Sequence, residues 1–348
     1  LDALQERLAA AVTDLVGGED WRRALEFAAR FRSRSFNNTL LIYVQHAAAY
    51  EAGRVPDPVP SYVAGFRQWK TLGRSVDKGQ SGYQILAPVT ARYASVQPGI
   101  KGSWRRLSRG ERPGPGETVR SRLVGLRPAY VWDVSQTSGE PIPKRPLPRV
   151  LSGAAPDCLI DGLAAQISTA GFQLHRVSDA RAIGGANGLT DHAQRVVSVR
   201  TDMDPAAQAK TLAHELAHAL MHDPANAATS DDNGSGNDLG DGRLHRGIAE
   251  VEAESVALMV GAAHGMDTTD YTVPYVSAWA HSVPDKAPTE VVQATAERVR
   301  STAVQILDGL DTLQAGGGDP PGLHRESPRT GQVASRTAEV AAPDLVNL

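Results

Sequence analysis

The strongest constraint on this chain is the stretch TLAHELAHALMH, residues 211–222, which contains His214-Glu215-x-x-His218. Asp204-Pro205 just upstream is a helix-start signature, an N-cap acceptor followed by proline at the first helical position. No Gly or Pro interrupts the run to His222, and its Ala and Leu residues favour a helix. Leu212, Leu216, Ala219 and Leu220 then share one face, while His214, His218 and His222 recur at i, i+4 and i+8 on another. Two imidazoles one turn apart can grip a single metal ion, typically zinc, and Glu215 is placed to take a proton from bound water. The alternative is a solvated helix face rich in His and Glu.

A third ligand is expected from AEVEAESVALMV, residues 249–260, whose Ala249, Ala253, Val256, Ala257 and Val260 fit a buried helical face. Glu250 and Glu254 share one side of that helix. Glu250 is assigned as the ligand and Glu254 as the carboxylate that orients a ligand histidine, with the exchange of roles as the alternative. Glu252 points roughly opposite and is expected to be exposed.

The 348-residue length suggests two domains. One cysteine, Cys158, excludes an intrachain disulfide and is expected to be a small buried residue. No signal-peptide pattern opens the chain and no run of about 18 apolar residues occurs, so a soluble cytoplasmic protein without a membrane partner is expected. Charge is unevenly spread: residues 1–150 hold 23 Lys and Arg against 13 Asp and Glu, and the rest holds 13 against 26. A basic half beside an acidic half suggests a polyanion partner for the first, or attraction between the two.

Residues 1–30 read as an amphipathic helix broken at Gly17-Gly18 and resumed from Trp21 to Phe31, with a further apolar segment from Thr39. Residues 65–88 interleave aromatic and cationic side chains among turn-forming glycines. Such a mixture suits unpaired bases and phosphates, although aromatic residues at this spacing also build cores. Residues 91–127 are basic and rich in Gly and Pro, as in a mobile loop, and 129–139 alternate as a strand. A Pro-rich linker is expected at 146–156, a helix from Cys158 to Gly171, a strand over Phe172–Val177 and a hairpin over 184–200. Residues 230–242 lack the carboxylate a calcium loop needs at its twelfth position, where Gly242 stands, and read as a lid or surface insertion. A helix is expected from Pro288 to Leu313 and a disordered tail over 314–348.

SFNNTLLIYVQ, GFRQWKTLGRSVDKGQSGYQILAP and VWDVSQTSGEPIP, in that order, resemble the N-terminal single-stranded-DNA-binding domain of ArdC-type antirestriction proteins. HELAHALMH followed by EVEAES resembles the zincin metallopeptidase domain joined to it, similar also to ImmA/IrrE regulatory proteases and, more distantly, to Spartan-type proteases. The resemblance covers roughly residues 20–285 and implies an α+β protein: a mixed α/β DNA-binding domain over 1–145, then a gluzincin domain over 157–313. It implies Zn2+ on His214, His218 and Glu250 with Glu215 as general base. It also implies single-stranded DNA on the first domain, with Phe36, Phe66, Trp69 and Tyr83 to stack bases and Arg34, Arg67, Lys70, Arg74 and Lys78 to meet phosphates. A zinc peptidase further needs an oxyanion donor, for which His222, His245, Tyr271 and Tyr275 stand unranked, and an extended substrate strand could add to the edge of the 184–200 hairpin. The leading expectation is a peptidase tethered to single-stranded DNA. The alternatives are an antirestriction protein with a structural zinc and a protease that cuts one repressor. Neither the substrate nor the oligomeric state is legible.

Overall fold

The computed structural model describes residues 1–15, 18–142, 153–224, 241–269 and 287–323, with backbone alone for Gly18 and 241–246. The linker core at 143–152, the insertion at 225–240, Tyr271 and Tyr275, and the end of the tail lie outside the described residues. Among the described residues no helix is long and apolar enough to cross a membrane.

Three helices open the chain: α1 (Asp2–Thr13), α2 (Gly18–Arg30) and α3 (Phe36–Glu51). Trp21, Leu25, Ala28 and Ala29 of α2 repeat at helical spacing and are all buried. Ser35 caps α3 by accepting from the Asn38 amide at 3.4 Å, and the free Phe36 amide donates to Glu297 at 2.8 Å. The α+β expectation holds, because strands follow. They are β1 (Val63–Gly65), β2 (Arg74–Val76), β3 (Tyr83–Ser95), β4 (Arg105–Arg106), β5 (Thr118–Asp133) and β6 (Thr137–Gly139), with a short helix α4 (Phe66–Thr71) after β1. β1, β5, β3 and β4 lie side by side in that order, and β2 pairs with β6. Residues 87–127 group apart from the main body, as a compact unit of β4 with the outer lengths of β3 and β5. The loop expected at 91–127 therefore includes strand at 91–95, 105–106 and 118–127, and its glycines and prolines lie between these strands except for Gly125 within β5.

The second half supplies α5 (Leu159–Thr169), β7 (Gln173–Val177), β8 (Gly188–Asp191), β9 (Val196–Arg200), α6 (Pro205–Met221), α7 (Asp241–Ala263) and α8 (Pro288–Asp308). β7 runs parallel to β9, while β8 pairs antiparallel with β9 and forms an edge of the three-stranded sheet. The hairpin read at 184–200 is β8 and β9. Cys158 is exposed, contrary to expectation, because it precedes α5 with a left-handed backbone (φ 62°) instead of lying on the helix's apolar face.

One hydrophobic core joins both sequence halves. Leu25, Phe36 and Leu41 lie in the same buried cluster as Leu212, Leu216, Val256 and Leu258. The Trp21 indole donates to Ser255 Oγ at 2.9 Å in the interior, tying α2 to α7. Each fully buried leucine there contributes about 1.5–3 kcal/mol. Packing therefore does not divide at 146–156. Nor does order stop at 314: the Ala315 amide donates to Ala263 O at 2.7 Å and the Val63 amide to Gly318 O at 2.9 Å. Gly318 has φ +84°, and a Cβ there would come within 2.4 Å of the Phe31 ring, so this strap needs glycine where it crosses the core. Composition suggested a tail, but the first residues of that segment have backbone partners.

Candidate metal centre

Helix α6 begins as its sequence dictates, with Asp204 accepting from the Ala207 amide at 2.8 Å and Pro205 in the first turn. Its apolar face, including Leu212, Leu216 and Ala219, is buried, which turns His214, His218 and His222 toward α7. His214 Nε2 and His218 Nε2 are 3.1 Å apart. Glu250 of α7 lies 3.4 Å from the first and 3.5 Å from the second. One donor atom from each of these three residues falls within 4.8 Å of the others. A tetrahedral ion with ligand bonds of about 2.0–2.1 Å separates its ligand atoms by about 3.3 Å. The observed spacings bracket that value, and two imidazoles with one carboxylate are a donor set suited to zinc.

The flanking groups fix which ring nitrogens face inward. Glu254 lies 3.2 Å from His214 Nδ1 and 2.7 Å from Lys210 Nζ. His218 Nδ1 lies 3.0 Å from His222 Nδ1, and His222 Nε2 lies 3.0 Å from Glu252. Glu252 in turn accepts from Arg298 Nε at 2.8 Å. A carboxylate can only accept, so a neutral His222 carries its proton on Nε2 and accepts on Nδ1 from His218. That leaves the His218 Nε2 lone pair directed at His214 and Glu250. The same reasoning puts a proton on His214 Nδ1, toward Glu254.

Electrostatics follow from this packing. Burial pulls the His214 pKa down, but hydrogen bonds to Glu250 and Glu254 outweigh it and push the value up to about 9. Hydrogen bonds from His214 and His218 hold Glu250 well below the usual carboxylate range. Burial raises Glu254, yet His214 and Lys210 bring it below its ordinary value. Burial raises Glu215, against a 2.6 Å hydrogen bond from the Thr190 hydroxyl of β8. Gly188 of β8 lies so close that an added Cβ would come within 2.6 Å of Glu215 Oε1. A cleft of about 450 Å³ opens here, lined by Asn187, Gly188, Lys210, Thr211, Glu215 and Glu250 among others.

Two expectations about this region are corrected. Glu252 is not an exposed helix residue but only 4% accessible, because α7 is covered on several sides and Glu252 faces His222 and Arg298. The signal was present: Val251, Ala253, Val256, Ala257, Leu258 and Met259 are apolar all round the helix, the mark of a buried one. His222 has both ring nitrogens engaged and so is no spare donor for an oxyanion. His245 lies on α7 where side chains are not described, and Tyr271 and Tyr275 lie outside the described residues.

The expected DNA-contacting residues divide. Phe36, Trp69 and Tyr83 are buried and offer no ring face to a base. Tyr83 bonds His46 at 2.8 Å, and the Trp69 indole donates to Trp132 O at 3.1 Å. Arg34 is buried and donates to Val63 O and Asp319, and Arg74 donates to Thr137 and Glu140, so both arginines tie backbone segments together. Phe66, Arg67, Lys70 and Lys78 are exposed. Phe66 continues into an aromatic row that the sequence reading missed: its ring centroid is 6.2 Å from that of Trp132, which is 6.3 Å from that of Tyr130. Phe66 and Tyr130 are 49% and 50% accessible. The alternation of AYVWDV carried the signal, since residues 130 and 132 of one strand share a face.

Comparison with known proteins finds a family model similar to each of two stretches of the chain. Residues 2–115 match the model of the N-terminal domain of anti-restriction factor ArdC. Residues 171–269 match a peptidase family described as the IrrE N-terminal-like domain. An uncharacterized Bacillus anthracis protein is 22% identical over 310 residues, 84% of this chain and 48% of its own length. The chain thus spans about half the length of that curated relative. Crystal structures of the plasmid-encoded antirestriction protein ArdC, metal-free and Mn(II)-bound, align with TM-scores of 0.49 and 0.50. Both are 18% identical and align over 88% of this chain and 96% and 97% of theirs, and the Mn(II)-bound one shows a shared fold.

Proposed function

We propose that this ArdC-like chain is a divalent-metal peptidase of antirestriction type that acts while bound to single-stranded DNA. The observation that carries the peptidase reading is the convergence of His214, His218 and Glu250 within 4.8 Å, with Glu215 buried on the same helix. An ion held by those three residues, zinc by donor type or manganese as in the similar ArdC crystal structure, would supply Lewis acidity toward a peptide carbonyl and toward water. Glu215 takes the proton of the attacking water and returns it to the leaving amine; burial favours its proton-accepting role by raising its pKa. Thr190 holds one Glu215 oxygen, and Gly188 leaves space beside the other. Glu254 orients His214, while Glu252 orients His218 through His222. An extended substrate adds to the free edge of β8, whose Gly188 lines the cleft.

For DNA, the row of exposed Phe66 and Tyr130 about the half-buried Trp132 supports stacking of unpaired bases, with Arg67, Lys70 and Lys78 for phosphates. The ring spacing is nearly twice the roughly 3.4 Å rise of a stacked strand, which suits bases presented separately. The test compares zinc-loaded wild type with Glu215→Ala on a mixture of DNA-binding proteins and single-stranded DNA, with new termini read by mass spectrometry. Glu215→Ala should keep its metal by elemental analysis and lose cleavage. Equal cleavage by both, or none by either, overturns the peptidase reading.

A further inference from the structure

The unit at 87–127 carries nine Lys and Arg but two acidic residues, Glu111 and Glu117. Both carboxylates are committed to one arginine: Arg105 donates to Glu111, and to the two oxygens of Glu117 at 2.7 and 2.8 Å. Among the described residues, none of the other eight cations of this unit has a carboxylate partner.

Strand register sorts these charges by face. Tyr93 pairs with Arg106, and Ala94 with Arg105, so Tyr93 and Arg106 project from one side and Arg105 with its two acids from the other. Arg122 lies over the Tyr93 ring at 5.5 Å, and Arg120, two residues before it on β5, stacks on Trp104 at 3.6 Å. One face therefore presents Arg106, Arg120 and Arg122, two of them braced on aromatic rings, with the acids gathered opposite. A ring face already covered by a guanidinium is closed to a base on that side. Arg106 and Arg122 are exposed, and stacking leaves the guanidinium N–H groups of Arg122 able to pair with an anion, whereas Arg120 is half-buried with its Nε inside.

We propose that this face is a phosphate-backbone grip for nucleic acid, separate from the aromatic row and indifferent to whether the strand is paired. The inference deepens the DNA reading above, but it makes a prediction of its own, because a grip on phosphates alone holds duplex as well as single strands. Its binding energy is dominated by counterion release, which scales with the number of phosphates neutralised.

The test uses the full-length chain with Arg106, Arg120 and Arg122 all changed to Gln, and a second variant with all three changed to Lys. Binding to a random-sequence duplex and to an unstructured single strand is titrated over a range of salt. The Gln variant should lose about 2.7 from the log–log salt slope on duplex and about 2.1 on single strand. The Lys variant should keep most of the slope, which also controls for folding. An unchanged slope in the Gln variant overturns the grip, as does wild-type protein that binds single strands but ignores duplex. That last outcome leaves the aromatic-row reading intact, whereas Trp132→Ala that weakens single-strand binding to the residual level of a phosphate grip, with duplex binding unchanged, supports both. Binding of the full-length chain to phosphatidylserine vesicles in preference to either nucleic acid, lost in the Gln variant, overturns the choice of partner.

Discussion

Glu252→Leu tests whether a buried carboxylate without a place in the ligand set nonetheless controls metal affinity. Glu252 is 4% accessible and reaches the site only through His222, which lies 3.0 Å from Glu252 and 3.0 Å from His218. Removing the carboxylate leaves His222 without the acceptor that fixes its tautomer, so His218 loses its fixed Nδ1 partner. Loss of such an outer partner typically weakens metal binding by about 10–100-fold, or about 1.4–2.8 kcal/mol. The effect on folding should be smaller. Arg298, the other partner, keeps 53% of its side chain in solvent and is not stranded, and the cost of burying a carboxylate disappears with it. Zinc affinity would be measured by competition with a chromophoric chelator, and stability of the chelator-treated protein by urea denaturation. Glu252→Gln, which keeps an acceptor but no charge, should fall between. The decisive comparison is the double variant: if Glu252 acts through His222, His222→Leu with Glu252→Leu should bind zinc no more weakly than His222→Leu alone. Additive losses, or zinc affinity within twofold of wild type in Glu252→Leu, would refute the relay.

Two further outcomes are expected. Gly188→Ala puts a methyl group 2.6 Å from Glu215 Oε1, which shifts the carboxylate by several tenths of an ångström; metal content should stay at the wild-type level while any peptidase rate falls by up to about 10²-fold. In metal-free protein the His214 pKa is raised to about 9 in the fold, so its contribution to stability is complete below the unfolded value of about 6.5 and is lost as pH rises through about 9. Thermal melts of chelator-treated protein across that window should show the decline, and His214→Gln should flatten it.

Local chemistry made the site helices legible. The Asp-Pro start, the unbroken Ala and Leu run and the histidine spacing define α6 and its polar face without reference to anything else. Period alone, however, says which residues share a face and not what covers that face. That is why Glu252 read as exposed: its burial depends on Arg298 and His222, distant in sequence. The same limit explains Phe36, Trp69 and Tyr83, whose aromatic-and-basic neighbourhood suits either a core or a binding surface. The strand pairing that placed Tyr130 and Trp132 beside Phe66 links β5 to β1, across almost seventy residues. Arg105 similarly collects both acids of its unit by a strand register that composition does not carry.

The indole of Trp21 bonded to Ser255 bears on how such a protein changes over generations. The stretches matched by the two family models share a single interior here, so neither packs as a separate cassette. Gene exchange that brought in a foreign first half would have to match the contour of α7 at Trp21, Leu25 and Ala28, well before it offered any new DNA preference. Substitutions in those buried positions should travel together between the two matched stretches, while the aromatic row and the charged face at 87–127 can vary without disturbing this interior. Diversification is thereby expected at the surface, with the two halves changing in step.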